Sequence, residues 1–216
     1  MRFQAPALLI VGSVVASAAC TIQSGITTTF YGSPDNDPPG SDATAYSCGG
    51  RNNHAGGTGT YADPLTFAAR VGSSYAQCEI IYSPYLKKYL RLEDSCAACT
   101  GDWTDVWTGT VADGGQAQIN CENSLTPDTK QSVIRQPATN LEVDTTKLWT
   151  GSTCNTGHIY ASNTPSNYCG SGGSTSPGDG CQTGCSWDGH CIGCACTTFD
   201  DCSDNYVCTN GLCASS

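Results

Sequence analysis

Cationic side chains are scarce in this sequence. Nine Lys and Arg stand against nineteen Asp and Glu, for a formal net charge of −10. So few positive groups cannot build the basic face that a phosphate backbone requires, which argues against nucleic acid as a partner. Histidine is rarer still, at His54, His158 and His190. No G-x-S-x-G, no H-E-x-x-H and no phosphate-binding loop occurs, so serine-hydrolase, zincin and nucleotide-hydrolase templates fail. Long apolar runs are missing too. The one apolar stretch, Ala7 to Val15, is too short to span about 30 Å of hydrocarbon, and no membrane span is expected. Helical periodicity is poor; Pro64 to Val71 (PLTFAARV) is the one short helix the pattern suggests.

Cysteine, by contrast, is abundant, with sixteen in the chain. Arg2, the apolar stretch and the small residues Ala16 to Ala19 read together as a secretory signal peptide over residues 1–18, cut after Ala18 or Ala19. Ser17-Ala18-Ala19-Cys20 also loosely matches a lipoprotein site, in which Cys20 would carry lipid. An even cysteine number in an exported chain reads as a disulfide framework, and oxidised thiols leave little room for cysteine nucleophiles. Eight cysteines lie from Cys20 to Cys169 and eight from Cys181 to Cys213, so each half can pair internally.

The body, residues 19–169, is long enough to bury a core. It consists of short β-rich runs broken by Gly, Pro, Asn and Asp: Thr27 to Tyr31, Glu79 to Tyr82, Tyr89 to Leu92 and Val106 to Thr110. Such runs between turn signals predict a mainly β barrel or sandwich. Residues 170–180 (GSGGSTSPGDG) read as a flexible linker. Residues 181–216 form a unit too small to bury enough apolar surface, so cross-links must hold it. No internal repeat and no signal for oligomerisation is present, and a monomer is expected.

The chemistry concentrates between Asp63 and Gly109. Asp63-Pro64 opens this segment, Asp94 follows an apolar run in LRLEDSC, and Asp105 opens DVWTG eleven residues later. The order of a DP dipeptide, a strand ending I-Y-x-P, a hairpin, an acidic turn and D-V-W-x-G resembles the three-aspartate domain of bacterial lytic transglycosylases. That domain is a six-stranded double-psi β-barrel, and Thr28 to Gly32 (TTFYG) is similar to the first barrel strand of expansins. With its cysteine-rich tail, the whole chain resembles secreted fungal muramidases of the double-psi barrel type. The resemblance implies that Asp105 is the catalytic aspartate, that Asp94 is a second catalytic carboxyl lining the cleft, and that Asp63 contacts substrate. The bacterial domain usually carries Gly-Gly after its second aspartate. Here Ser95-Cys96 and Cys99 occupy that loop, which is expected to be disulfide-tethered.

The chemistry also has a reading of its own. Glycoside cleavage needs a protonated acid at the leaving oxygen. A carboxyl among Trp103, Val106 and Trp107 would have its pKa raised by desolvation. Inversion by water needs a second carboxylate about 6.5–9.5 Å away; Asp94 and the loop residues Asp35, Asp37 and Asp42 are candidates. If none is placed, the sugar's own C6 hydroxyl can attack instead. Aspartates also commonly start turns, and Asp63-Pro64 fits that role. Flat aromatic rings can pack on sugar faces, and Tyr31 and Trp103 are the preferred substrate-binding rings among Tyr31, Tyr82, Tyr85, Tyr89, Trp103 and Trp107.

The stretch C-x-W-x-G-H-C followed by D-D-C resembles the zinc-binding helper module of some fungal muramidases. The resemblance implies zinc on His190, with Asp188 and Asp201 as carboxylate partners, and leaves Cys181 and Cys194 as an additional pair. A plain disulfide knot is the alternative. The expected function is thus a secreted muramidase (lysozyme-type glycosidase) acting on bacterial peptidoglycan without a cofactor in catalysis. Its anionic target makes acidic surroundings favourable, because repulsion fades as carboxylates protonate. A plant-wall β-glucanase or expansin-like loosening protein, and a non-catalytic wall-binding protein, are the alternatives.

Overall fold

The structure, a computed structural model, describes residues 20–109, 113–169, 191–192, 196, 202, 206–209 and 212–215. Six strands, β1 (Thr21–Tyr31), β2 (Leu65–Ala69), β3 (Ile80–Ser83), β4 (Lys88–Ser95), β5 (Trp103–Trp107) and β6 (Gln131–Arg135), close into one barrel. Their order around it is β1-β5-β2-β4-β3-β6. β1 with β5 and β2 with β4 run parallel, and every other neighbouring pair is antiparallel. This is the mixed pattern of a double-psi barrel, as expected.

The strand expectations hold at β1, β3, β4 and β5 with shifted ends. The helix expected over Pro64 to Val71 does not form. Leu65–Ala69 is instead β2, buried along its whole length between β4 and β5. A strand covered on both faces loses its alternation, and a short continuous apolar run cannot be told from a buried helix by periodicity.

Ile26, Phe30, Phe67, Ile81, Leu90, Val106 and Val133 fill the barrel. Each such side chain contributes about 1.5–3 kcal/mol by leaving water. The one α-helix among the described residues, α1 (Gly115–Leu125), packs on the barrel through Gln118, Cys121, Glu122 and Leu125. The segment 136–169 then wraps the wall. Buried Lys88 donates to the Asp144 and Thr146 carbonyls, and the Asp144 carboxylate accepts from Tyr160 and bonds His158 at 2.7 Å.

The eight body cysteines pair within the body: Cys20–Cys169, Cys48–Cys78, Cys96–Cys99 and Cys121–Cys154. Cys20 is therefore not available for lipid, and the loop after β4 is tethered. Towards the C-terminus, β7 (Tyr206–Thr209) and β8 (Leu212–Ser215) form a two-stranded sheet, with disulfides Cys196–Cys208 and Cys202–Cys213.

Candidate active site

Register across the barrel wall builds the site. Ala68 of β2 pairs with Asp105 of β5 on one side and with Asp94 of β4 on the other. Asp105 in turn pairs with Thr29 of β1. Direct cross-strand partners share a face, so Thr29, Asp105, Ala68 and Asp94 form one row. The alternate residues Phe30, Phe67 and Val106 turn into the core, so the row faces outward. Two strand spacings put the Asp94 and Asp105 backbones about 9.6 Å apart. A β-bulge sets this register: Phe67 pairs with Leu92, but the next residue, Ala68, pairs with Asp94. Glu93 is the extra residue, and without it Asp94 would point elsewhere.

Asp105 is partly buried, and burial pushes its carboxyl up to about 6, with the charges of Asp35 and Asp94 adding to the rise. The Trp103 indole Nε1 donates to Thr29 Oγ1 at 2.7 Å, and Thr29 donates to Asp105 Oδ1 at 2.6 Å. Indole N–H can only donate, which occupies one lone pair of the threonine oxygen and leaves its hydrogen for the Asp105 carboxylate. With Asp105 ionised, Oδ1 accepts from Thr29.

Asp94 is buried and differently held. Tyr31 Oη donates to Oδ2 at 3.0 Å, and the amides of Ala45 and Ser95 donate to Oδ1 at 3.0 and 2.8 Å. Burial raises its pKa, while these three donors pull it back. The Tyr31 ring meets Trp107 edge to face, and its hydroxyl is raised well above the ordinary tyrosine range by burial beside Asp94. Tyr31 is itself buried, so its visible role is to orient Asp94.

Asp94, Asp105, Tyr31 and Trp103 are thus brought together. Asp63 is not joined to them: its carboxylate accepts from Arg51 at 2.8 Å and from the Thr58 amide at 2.9 Å. Arg51 also bonds Glu93, so this ion network anchors the loop that delivers the Ala45 amide to Asp94. Of the loop aspartates, Asp42 bonds His54 at 2.9 Å. Asp35 accepts from the Gly32 amide at 2.9 Å, is exposed, and acts electrostatically on Asp105.

Glu122 of α1 was not legible as a site residue. It is buried, and burial pushes its carboxyl up to about 8, with Asp35 and Asp105 adding to the rise. Thr108 Oγ1 lies 3.0 Å from the Tyr31 carbonyl, 2.9 Å from Gln118 Nε2 and 3.1 Å from Glu122 Oε1. The carbonyl must accept and the amide nitrogen must donate. Gln118 therefore donates to Thr108, whose single hydrogen is shared between the Tyr31 carbonyl and Glu122 Oε1. The sequence signal, a Glu inside a weak helical pattern, gave no hint of burial.

Among the described residues, Cys96, Cys99 and Asp105 bring three potential ligand atoms within 4.8 Å of one another, as do Cys196, Cys202 and Cys213. All five cysteines are in disulfides and offer no thiolate in this state. His190, Asp188 and Asp201, the expected zinc ligands, lie outside the described residues.

The chain belongs to the family described as the DDB_G0273701 N-terminal domain, whose model matches residues 23–155. It is 39% identical over 134 residues to the Dictyostelium discoideum protein DDB_G0273701/DDB_G0273221, a stretch covering 58% of this chain and 56% of that one. It is also 61% identical over 31 residues to endo-chitosanase C of Aspergillus oryzae, covering 14% of this chain and 8% of that enzyme. The chain thus spans little more than half of the first relative and a small part of the second. No solved structure matches.

Proposed function

We propose that this protein is a secreted glycoside hydrolase that cleaves the glycan strand of bacterial peptidoglycan, a muramidase with Asp105 as general acid. One observation carries the reading: Asp105 is an outward-facing, partly buried carboxyl pushed up to about 6, with Thr29 hydrogen-bonded to one of its oxygens. A carboxyl of that pKa is protonated in mildly acidic surroundings and can still release its proton. Its proton passes to the glycosidic oxygen as the C1–O bond breaks. Asp94, about two strands away, takes the proton of the attacking water; the spacing is compatible with inversion. Asp35 is the alternative base.

Four disulfides in the body fit an oxidising, extracellular setting. The short likeness to a chitosanase supports glycosidase chemistry and favours one second reading, a β-1,4-linked amino-sugar polymer such as chitosan as the substrate. Zinc on His190, Asp188 and Asp201 belongs to the C-terminal module in this proposal, and no catalytic step uses it.

Incubation of the purified protein with peptidoglycan, chitosan and cellulose at about pH 5, near the acidic working range set by Asp105, separates these readings by fragment mass spectrometry. Muropeptides with reducing N-acetylmuramic acid ends are expected. Anhydro ends would replace water attack by intramolecular attack, chito-oligomers alone would move the substrate to chitosan, and cello-oligomers alone would move it to plant β-glucan. No fragment from any polymer would overturn the enzymatic reading.

A further inference from the structure

The Cys96–Cys99 disulfide closes the turn after β4 and lies against Asp105. Both sulfurs and an Asp105 carboxylate oxygen are within 4.8 Å of one another. Ser95, Ala97 and Ala98 are exposed and Cys96 is only partly buried, so a small thiol can reach this bond. The bridge spans a sequence separation of 3, against 30, 33 and 149 for the others in the body. In the chain-entropy account the shortest loop contributes least to stability and the longest most. The bond that matters least to the barrel is therefore the one placed on the candidate acid.

We propose that Cys96, Cys99 and Asp105 form a redox-gated site for a soft divalent cation, zinc(II) or cadmium(II), which accepts metal only after the disulfide is reduced. The reductant is a dithiol. Its two sulfurs join as a disulfide, two electrons break the Cys96–Cys99 bond, and its two protons pass to the cysteine sulfurs. Metal binding then releases both thiol protons, forms two metal–thiolate bonds and one bond to the Asp105 carboxylate, and leaves a fourth position for water. The C-x-x-C spacing is one that structural zinc sites use. Metal–sulfur bonds of about 2.3 Å require the two sulfurs to sit about 3.8 Å apart. Cα atoms 5.4 Å apart allow this by side-chain rotation alone. The hydrogen bond from Thr29 to Asp105 Oδ1 is the kind of outer contact that holds a ligating carboxylate in place. A metal on Asp105 excludes a proton from it, so the filled site has no general acid. The site itself does not depend on the glycosidase reading, and its test uses no activity.

The purified full-length protein is treated with dithiothreitol under native conditions and desalted without oxygen. Free thiols are mapped by alkylation and peptide mass spectrometry, and cadmium(II) is titrated while the sulfur-to-cadmium charge-transfer absorption is followed. Thiols at Cys96 and Cys99, one thiolate-bound cadmium per chain, no band before reduction, and at least tenfold weaker binding in Asp105→Asn are expected. The double variant Cys96→Ser/Cys99→Ser, folded by circular dichroism, should show no band. Should that variant not fold, pre-alkylation of the reduced protein at Cys96 and Cys99 serves instead. The proposal falls if Cys96–Cys99 resists reduction in the folded protein. It falls equally if the reduced pair shows no band, or if Asp105→Asn binds as tightly as the parent.

Discussion

Burial favours the neutral form of both Asp105 and Glu122, and both make folding depend on pH in the same direction. A carboxyl whose native pKa is raised holds its proton longer in the folded state than in the unfolded chain. Its contribution is therefore most favourable below its unfolded pKa and declines until the pH passes its native value. For Asp105 that decline ends at about 6, and for Glu122 at about 8. Thermal stability should accordingly fall between pH 5 and pH 8. Glu122→Gln, neutral throughout, should flatten that fall and stabilise the protein at pH 8 by on the order of 3 kcal/mol; melting curves at several pH values measure it. An unchanged slope would place the ionisation elsewhere. Asp105→Asn should lower turnover about 10²- to 10⁴-fold with the fold intact. In the parent, turnover should decline as pH rises through about 6, because the acid is then deprotonated; a rate profile flat from pH 5 to 8 would remove Asp105 from the acid role.

At the scale of elements, α1 explains why the site has a back wall. Its buried residues Gln118, Cys121, Glu122 and Leu125 follow the i, i+3, i+4, i+7 spacing of a helix face. Two of the four are polar, which erased the apolar stripe from the sequence and left the helix unseen. Its close approach requires Gly32, where an added Cβ would lie 1.9 Å from Gln118 Nε2, 2.7 Å from Glu122 Oε1 and 2.8 Å from Thr108 Oγ1. The Gly32 backbone is extended, so the demand is for space and not for an unusual conformation. Gly32→Ala should cost about 1–3 kcal/mol by overpacking, and Gln118→Ala should recover part of that loss. Urea unfolding of the two single variants and the double variant gives the coupling; strict additivity would mean that the helix does not press on Gly32.

Over the whole molecule, disulfides close what a barrel of modest size leaves open. Cys20–Cys169 ties the start of β1 to the end of the wrapping segment across a separation of 149 residues. Removing it with paired serine substitutions should cost about 5 kcal/mol, and removing Cys96–Cys99 about 2 kcal/mol. Guanidinium unfolding compares the two, and equal losses would contradict the loop-length account.

Several parts of this arrangement were legible in the residues themselves. β-branched and aromatic runs between turn signals marked most of the barrel strands, the split of the cysteines marked where the body closes on itself, and Asp94 and Asp105 stood out by their eleven-residue spacing beside apolar runs. These are local signals, carried by side-chain shape and chain spacing. Tertiary structure decided the rest. Within Pro64 to Val71, Leu65–Ala69 became a strand because β4 and β5 hydrogen-bond it along both edges, and no local pattern records such pairing. Asp94 rather than Glu93 faces Ala68 because a bulge in β4 shifts the register by one residue. Asp63 went to Arg51, and Glu122 came to lie behind Gly32, through contacts between segments far apart in the chain. The sequence by itself determined which residues could be strands, cross-links and acids. Which acids share a face, and which are dry enough to keep a proton, depends on barrel closure and burial, and both exist only once the chain is folded.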